Sequence, residues 1–429
     1  MRYPAFIEAD LDFPEFCRVR MHYRAETLED LPGAVARELE ALLPQSGIRA
    51  GDRVAVGVGS RGIDRLGELV TAVCAHLQAA GARPFIVPAM GSHGGATAEG
   101  QAAVLKRLQV SEATCGAPVV SSMEVERIGT VFGEVPLYFA RDALAAEHSI
   151  VINRIKPHTK FIGPAESGLL KMLCIGLGKH AGAVAYHTWA MKHGFFPLLK
   201  AMGAGIAAAS NYRFGLAVVE NAYDRLLAVA GVPADRTLAE ETRLNALAKA
   251  NMPRLPFTRL DVLVVGRIGK EISGAGMDPN VTGRAYDLME SDFSGMLAAK
   301  RVVILGLSEK TGGNAIGMGN ADIITEKVFQ ALDYEATLMN ALTSLSLHKA
   351  FIPVRLPNDL KAIQAGFATI GPIPAPAVRA VIIRDTLHLS EFWASRALWE
   401  EIAQTAEAEV IARGPLSFDG QGNLLLPAA

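Results

Sequence analysis

The side chains best suited to chemistry lie in residues 153–187, with the sequence NRIKPHTKFIGPAESGLLKMLCIGLGKHAGAVAYH. This run combines three histidines, four lysines and five glycines, and it follows an apolar, strand-like segment at residues 149–152. A mixture of Gly, Pro and ionisable residues directly after a buried strand is where α/β proteins concentrate their binding and catalytic groups. The run is therefore the candidate active site.

Two further ionisable residues follow other strand-like segments. Arg61 lies in the turn GSRG after residues 53–58, and His93 lies in MGSHGGAT after residues 83–88. Because the carboxyl ends of parallel strands meet at one edge of a sheet, Arg61, His93 and His158 are expected to share one crevice. Arg61 could bind a carboxylate or phosphate through two hydrogen bonds, or it could form a salt bridge between domains.

The histidines favour acid–base chemistry over a metal site built from protein ligands alone. A single histidine is more often a structural or exposed side chain than a ligand, but several after strand ends favour function. The chain has neither HExxH spacing nor a Cys/His cluster, which a zinc site would require. Histidines on separate loops suit proton exchange, since their ordinary pKa is about 6.5.

Lys171 has two interpretations. It follows Glu166-Ser167-Gly168, so it could be a solvated lysine on the first turn of a helix. It could also be a nucleophile or cofactor anchor, because lysine amines form covalent bonds with carbonyl-type groups.

Gly57, Gly59 and Gly62 have the G-x-G-x-x-G spacing of a dinucleotide-binding turn. That fingerprint also requires an acidic residue about 20 positions further on, at the end of the next strand. Here the next strand ends in VPA at residues 87–89, so the match to an NAD site is weak. A phosphate near this turn remains compatible with the pattern.

Composition excludes several classes of partner. The 429 residues include 44 acidic and 42 basic residues, and this near balance argues against a nucleic-acid partner. The four cysteines have no CxxC spacing, and the apolar run at residues 201–209 is shorter than the roughly 20 residues of a membrane span. We expect a cytoplasmic protein that binds no membrane.

Strand-like runs alternate with helical segments in both halves of the chain, at residues 53–58, 83–88, 149–152, 260–265, 301–305 and 380–383. Residues 182–250 are predicted to be mostly helical, apart from a strand at 214–220. The Pro-containing segment 252–256 is typical of a domain boundary.

These patterns predict an α/β fold with two α/β domains, mainly parallel sheets and an active-site crevice between the domains. Residues 1–255 would form the cofactor-binding N-terminal domain. Residues 256–429 would form a C-terminal domain that closes over the substrate and ends in a helix, predicted at residues 389–412.

A set of short motifs resembles the lactate racemase family that uses a nickel-pincer nucleotide. The resemblance spans both predicted domains. It is carried by GSRG (59–62), GSHGGATAE (91–99), NRIKPH (153–158), Lys171, His187 and SGAGMDPNV (273–281).

The resemblance implies a cofactor, a pyridinium bisthiocarboxylic acid mononucleotide that binds nickel through S, C and S. Lys171 matches the lysine that tethers it through a thioamide, and His187 matches the histidine that gives nickel its fourth ligand. His93 and His158 match the two acid–base histidines, and Arg61 matches an arginine near the substrate. The matched motifs also place Ser60 and Gly168 at the cofactor.

The chain departs from the lactate-specific pattern. Lactate racemases have Ser-Gly-Gly-Arg-Lys before the tether, whereas this chain has SGLLK at residues 167–171. Gly283 and Tyr286 stand where a glutamine and a lysine assist lactate binding. The substrate could therefore be a larger 2-hydroxy acid, such as a sugar acid epimerised at C2. The candidates for holding it are Arg284, Asn280 and Lys270.

The leading hypothesis is a racemase or epimerase in which the C2 hydride of a 2-hydroxy acid passes reversibly to the cofactor, with a histidine on each side handling the hydroxyl proton. Its partners would be a small-molecule 2-hydroxy acid and the enzymes that make the cofactor. One alternative is a dehydrogenase that releases the keto acid. Another is a non-catalytic protein that binds a nucleotide or an acidic metabolite.

Overall fold

The computed structural model describes residues 3–8, 11–60, 62–285, 293 and 296–425. The chain divides into two compact units. One is Arg24–Met252, and the other joins Met1–Tyr23 to Pro253–Ala429. Each unit contains a large, mainly parallel sheet together with helices, so the predicted α/β class is confirmed.

The strands are β1 (Phe16–Met21), β2 (Arg53–Val58), β3 (Arg83–Pro88), β4 (Val125–Val131), β5 (Val135–Ala140), β6 (His148–Arg154), β7 (Tyr212–Glu220), β8 (Leu226–Pro233), β9 (Arg259–Val265), β10 (Ala298–Ile304), β11 (Ile323–Thr325), β12 (Val354–Leu356), β13 (Ala380–Ile383), β14 (Glu391–Ser395) and β15 (Ala408–Gly414).

The α-helices are α1 (Ala5–Glu8), α2 (Leu31–Ser46), α3 (Leu66–Ala79), α4 (Ala98–Arg107), α5 (Glu112–Cys115), α6 (Arg141–Leu144), α7 (Leu169–Lys171), α8 (Lys179–His193), α9 (Phe195–Ala209), α10 (Thr237–Ala250), α11 (Pro279–Thr282), α12 (Glu326–Gln330), α13 (Tyr334–Thr343), α14 (Asp359–Ala368) and α15 (Trp399–Ala403). A π-helical turn, Met172–Gly176, follows α7 directly. No helix of the described residues is both long and apolar enough to cross a membrane.

The sheet of the Arg24–Met252 unit has the strand order β3-β2-β6-β7-β8. The first four strands are parallel and β8 runs antiparallel to β7. Alternate residues of β2, Val54, Val56 and Val58, are fully buried in one apolar core with side chains of α2 and α3. This burial explains why the apolar runs at 53–58 and 83–88 form strands with the predicted bounds.

The sheet of the other unit has the order β12-β11-β10-β9-β13-β14-β1-β15. Strands β9 to β13 are parallel, whereas β14, β1 and β15 are antiparallel to their neighbours. Since β1 lies between β14 and β15, residues 1–23 belong to this unit. The observed division therefore differs from the predicted 1–255 and 256–429 by this first segment.

The predicted C-terminal helix at residues 389–412 is wrong. The structure instead has β14, the short helix α15 and β15 in this region. In β14 buried and half-buried residues alternate, with Phe392 and Ala394 buried, and its pairing partner β1 lies more than 370 residues away in the chain. A segment with moderate helical character forms a strand when such a distant partner supplies its hydrogen bonds.

Candidate active site

A pocket of about 100 Å³ lies at the carboxyl ends of β2, β3 and β6. These strands are parallel neighbours, so the turns that follow them meet at one edge of the sheet. The pocket therefore collects side chains from three separate turns. Its lining is Gly59, Ser60, Ala89, Met90, His93, Asn153, Arg154, Lys156, Ser167, Lys171, Met172, Ile175 and Gly176.

His93 is held by the turn after β3. Its Nδ1 lies 2.5 Å from the hydroxyl oxygen of Ser60, which follows β2. The turn closes tightly at Gly94, where φ is 66° and an added Cβ would lie 2.6 Å from the carbonyl carbon of Gly100. The Thr97 hydroxyl then accepts a hydrogen bond from Gly100 N and caps α4.

The side chains of a buried lysine and a buried glutamine form hydrogen bonds with the same turn. Lys179, which is 0% exposed, donates from Nζ to the carbonyl of Pro88 at 2.5 Å and to Gln101 Oε1 at 3.3 Å. Gln101 Nε2 in turn donates to the carbonyls of Gly91 and His93. Burial lowers the pKa of Lys179 to about 8, although the carboxylate of Asp142 opposes this shift. These side chains together satisfy three carbonyls of the turn that carries His93.

The loop between β6 and α7 is closed by a buried carboxylate. Lys156 and Ser167 exchange two backbone hydrogen bonds at the base of the loop. Inside it, Glu166 is buried and accepts hydrogen bonds from the backbone of His158 at 2.6 Å and of Gly163 at 3.0 Å. Glu166 also pairs with Lys249 of α10. These contacts therefore hold His158 close to the start of α7.

His158 and Lys171 form a hydrogen-bonded pair at the pocket. His158 Nε2 lies 3.0 Å from Lys171 Nζ, and the backbone N–H of Lys160 donates to His158 Nδ1 at 3.1 Å. The contact places the Lys171 amine beside a histidine that can exchange a proton with it, which is the arrangement that a lysine nucleophile requires.

Glu241 on α10 supports the start of α7. Its Oε2 accepts a hydrogen bond from Leu170 N at 2.9 Å, and its Oε1 would lie 2.6 Å from a Cβ added to Gly168. The Gly168 carbonyl accepts from Asn153 Nδ2 at 2.9 Å. A larger residue at position 168 would collide with Glu241, which explains the glycine directly before α7, three positions before Lys171. Complete burial raises the pKa of Glu241 to about 7, while hydrogen bonds from the backbone of Leu170 and Leu169 act in the opposite direction.

Glu241→Gln is expected to stabilise the protein at neutral pH relative to the wild type. Since the folded-state pKa of Glu241 is raised from 4.5 to about 7, its contribution to stability is present below about pH 4.5 and is lost as pH rises through about 7. Glutamine does not titrate and keeps an acceptor for Leu170 N. The difference in unfolding free energy between variant and wild type should therefore increase by up to about 3 kcal/mol between pH 5 and 8. Denaturant titrations at several pH values measure it.

Glu240→Gln is the matched control, because Glu240 is the preceding residue on α10 and pairs with Arg236 and Arg243 near the surface. The unfolding free energy of this variant should change with pH in the same way as that of the wild type. If the unfolding free energy of Glu241→Gln also follows that of the wild type, Glu241 does not titrate as described.

The predicted cofactor and catalytic residues are only partly brought together. Ser60, His93 and Lys171 line the pocket, and His158 contacts Lys171. Gly168 lies behind α7 and shapes its first turn. His187 lies half-buried on α8 and is outside the described lining of the pocket. Arg61 lies outside the described residues.

The predicted substrate residues lie in the other unit. The Arg284 guanidinium forms an ion pair with Asp322 at 2.7 Å and donates to the carbonyl of Ala299 at 2.8 Å. It therefore links the starts of β10 and β11. The Asn280 amide donates to Asp278 Oδ1 at the start of α11. Lys270 is exposed, and its backbone N–H donates to the Thr311 hydroxyl. Substrate binding by these residues stays a prediction.

Three residues that organise the site were not predicted: Glu166, Lys179 and Glu241. Glu166 and Lys179 stand within the candidate run, but their immediate neighbours are Ala165 and Ser167 and Gly178 and His180, which give no sign of burial. Glu241 lies 70 residues beyond Lys171 on a helix of ordinary composition. No local pattern distinguishes Glu241 from its half-buried neighbour Glu240.

The sequence matches no family model and no curated protein. Among solved structures, the lactate racemase apoprotein from Thermoanaerobacterium thermosaccharolyticum is similar over 84% of this chain and 86% of that chain, with 14% identity and a TM-score of 0.48. A protein from Thermotoga maritima is similar over 74% of this chain and 82% of that chain, with 16% identity and a TM-score of 0.48. Both likenesses are too remote to establish a function.

Proposed function

We propose that this chain is a nickel-pincer-dependent racemase or epimerase of a 2-hydroxy acid. The observation that carries the proposal is the contact of Lys171 with His158, together with the position of Lys171 in a pocket that His93 also lines. A covalent cofactor anchor requires a nucleophilic amine, and a two-base reaction requires two proton-exchanging groups at one site. The motifs that resemble the lactate racemase family supply the identity of the cofactor.

The residues of the pocket fit such a cofactor. Lys171 would form the tether, and the Ser60 hydroxyl and the backbone of Gly59 offer polar contacts beside it. Lys156 adds a positive charge suited to a phosphate group, whereas the charge of Arg154 is paired with Glu220. The described residues contain no group of three or more His, Cys, Asp or Glu that could hold a metal ion. The proposal needs none, because His187 would be the one protein ligand of nickel and the cofactor would supply the others.

When bound, the cofactor supplies the acceptor for a hydride from C2 of the substrate. The residues of the chain handle the protons. His93 is exposed at the pocket, with the Ser60 hydroxyl against Nδ1, so its Nε2 edge is oriented by that contact. His158 is buried and approaches from the opposite loop. Two histidines on separate turns can take and return a hydroxyl proton for either enantiomer.

Inversion of 2-hydroxy acids in D₂O tests the proposed function. Protein purified from its native host would first be examined for nickel and for a covalent adduct by intact mass. It would then be incubated with lactate and with sugar acids. Internal return of the hydride predicts an inverted product that keeps its C2 hydrogen. Deuterium at C2 would exclude hydride transfer, and accumulation of keto acid would favour the dehydrogenase alternative.

A further inference from the structure

Asp385 is a fully buried carboxylate in the unit that contains Pro253–Ala429, remote in sequence from the pocket described above. It follows β13 and accepts hydrogen bonds from the backbone of Leu387 at 3.1 Å and of His388 at 3.0 Å. Its Oδ1 lies 2.7 Å from His388 Nδ1, and its Oδ2 accepts from Arg267 Nε at 3.1 Å. Although burial opposes ionisation, the hydrogen bonds from His388 and Arg267 hold the pKa of Asp385 below its ordinary value.

The ionised carboxylate of Asp385 determines which tautomer the His388 ring adopts. Asp385 can only accept, so the proton of a neutral ring lies on Nδ1. The lone pair of the ring is then on Nε2. Among the described residues no hydrogen-bond partner of Nε2 is found, and the side chain is 47% exposed. His388 is thus an oriented base that faces solvent, held as an Asp–His pair.

Two guanidinium groups border the same carboxylate. Arg267 directs Nε to Asp385, and its side chain is 37% exposed. Arg384 lies 3.8 Å from Asp385 and is 56% exposed. Within the described part of the chain, the terminal N–H groups of both have no recorded acceptor. Three basic side chains surround one carboxylate, so the cluster has a positive surplus that favours a bound anion.

The position of the cluster favours a binding site. Arg267 follows β9 and Asp385 follows β13, which are adjacent parallel strands. The backbone N–H of Arg267 donates to the carbonyl of Arg384 at 3.0 Å and fixes the two turns together. Thr386 joins the cluster to the predicted substrate loop, because its hydroxyl accepts from Asp278 N at 2.9 Å. Ligands in open α/β sheets bind outside such carboxyl ends.

We infer that Arg267, Arg384 and the Asp385–His388 pair form a second binding site for a small carboxylate that carries an adjacent hydroxyl. The guanidinium groups bind the carboxylate, and the ligand hydroxyl donates to His388 Nε2. The choice of a hydroxy acid rests on the proposed function.

Carbethoxylation of His388 tests this site with glycolate as the probe. Diethyl pyrocarbonate reacts with an unprotonated ring nitrogen, and peptide mass spectrometry of the full-length protein gives the rate at each histidine. Saturating glycolate is expected to slow labelling of His388 about tenfold, and acetate at the same concentration much less, since acetate lacks the hydrogen bond from a hydroxyl. Equal protection by both, or protection by neither, would overturn the inference.

Arg384→Met is the matching variant, because this exposed side chain can be removed with little effect on folding. It should weaken protection by glycolate about tenfold, as expected for one lost charge-assisted bond. Arg396→Met removes another exposed arginine of the same unit and should leave protection unchanged. If Arg384→Met also leaves protection unchanged, the proposed carboxylate contact is excluded.

The experiment uses protein without cofactor, so it can fail independently of the proposed function. Protection of His388 in a chain that never acquires an adduct at Lys171 would support the site and contradict the nickel-pincer proposal. An adduct at Lys171 without protection of His388 would contradict the site alone.

Discussion

Lys171→Met is expected to abolish both the covalent adduct and the inversion of 2-hydroxy acids. Methionine fills a similar volume but has no amine, so a cofactor could not be tethered and the pair with His158 would be lost. Removing a nucleophile that acts with its partners as a unit lowers turnover at least about a thousandfold. Intact mass, nickel content and racemisation rate of protein from the native host measure the effect.

Lys200→Met provides the matched control, since Lys200 is an exposed lysine on α9. It should keep the adduct, the nickel and the activity of the wild type. If Lys171→Met keeps a stoichiometric adduct, the anchor is another residue. If it loses the adduct but still inverts substrate, the chemistry does not depend on the tether.

His158→Ala is expected to make Lys171 less reactive towards acylating reagents. His158 Nε2 lies 3.0 Å from Nζ, so the imidazole is placed to take a proton from the amine as it attacks. Loss of a general base typically slows such a step by about a hundredfold. Acylation of Lys171 by a dilute amine-selective ester at pH 7 should therefore slow by about this factor, as followed by peptide mass spectrometry.

The choice of variants separates this effect from damage to the loop. His158→Gln keeps a hydrogen-bonding amide near the position of Nε2 but cannot take up a proton, so it should be as slow as His158→Ala. His180→Ala removes an exposed histidine from α8 and should have no effect. Labelling of Lys200 in each sample provides the internal reference. A wild-type protein in which Lys171 reacts no faster than Lys200 would contradict activation of the amine by His158.

Both predictions depend on a hydrogen bond that joins residues 13 positions apart in the chain. The local sequence places each residue after the correct strand, but it does not show that they touch. Their contact depends on the Glu166 carboxylate, which closes the loop, and on Glu241, which orients the first turn of α7. Substitutions at either carboxylate should therefore affect Lys171 without contacting it.

The sequence alone was sufficient for elements whose signals are local. The strands β2, β3 and β13 have the predicted bounds because each is an apolar run between turn-forming or charged residues. The same patterns placed Ser60 and His93 after two neighbouring strands, and the structure brings them within 2.5 Å. Turn chemistry and strand ends are encoded over a few residues, so they can be recognised without a partner.

The tertiary structure decided everything that depends on contacts between distant segments. The predicted helix at 389–412 became β14 and β15 because β1 pairs with both of them. Strand β8, in a region predicted to be helical, forms because β7 offers it an antiparallel edge. The contact between Lys171 and His158 and the burial of Glu241 and Asp385 likewise arise only when separate elements pack together. The periodicity of hydrophobic residues indicates which side of a segment is buried. Hydrogen-bond partners and desolvation, however, are properties of the folded chain.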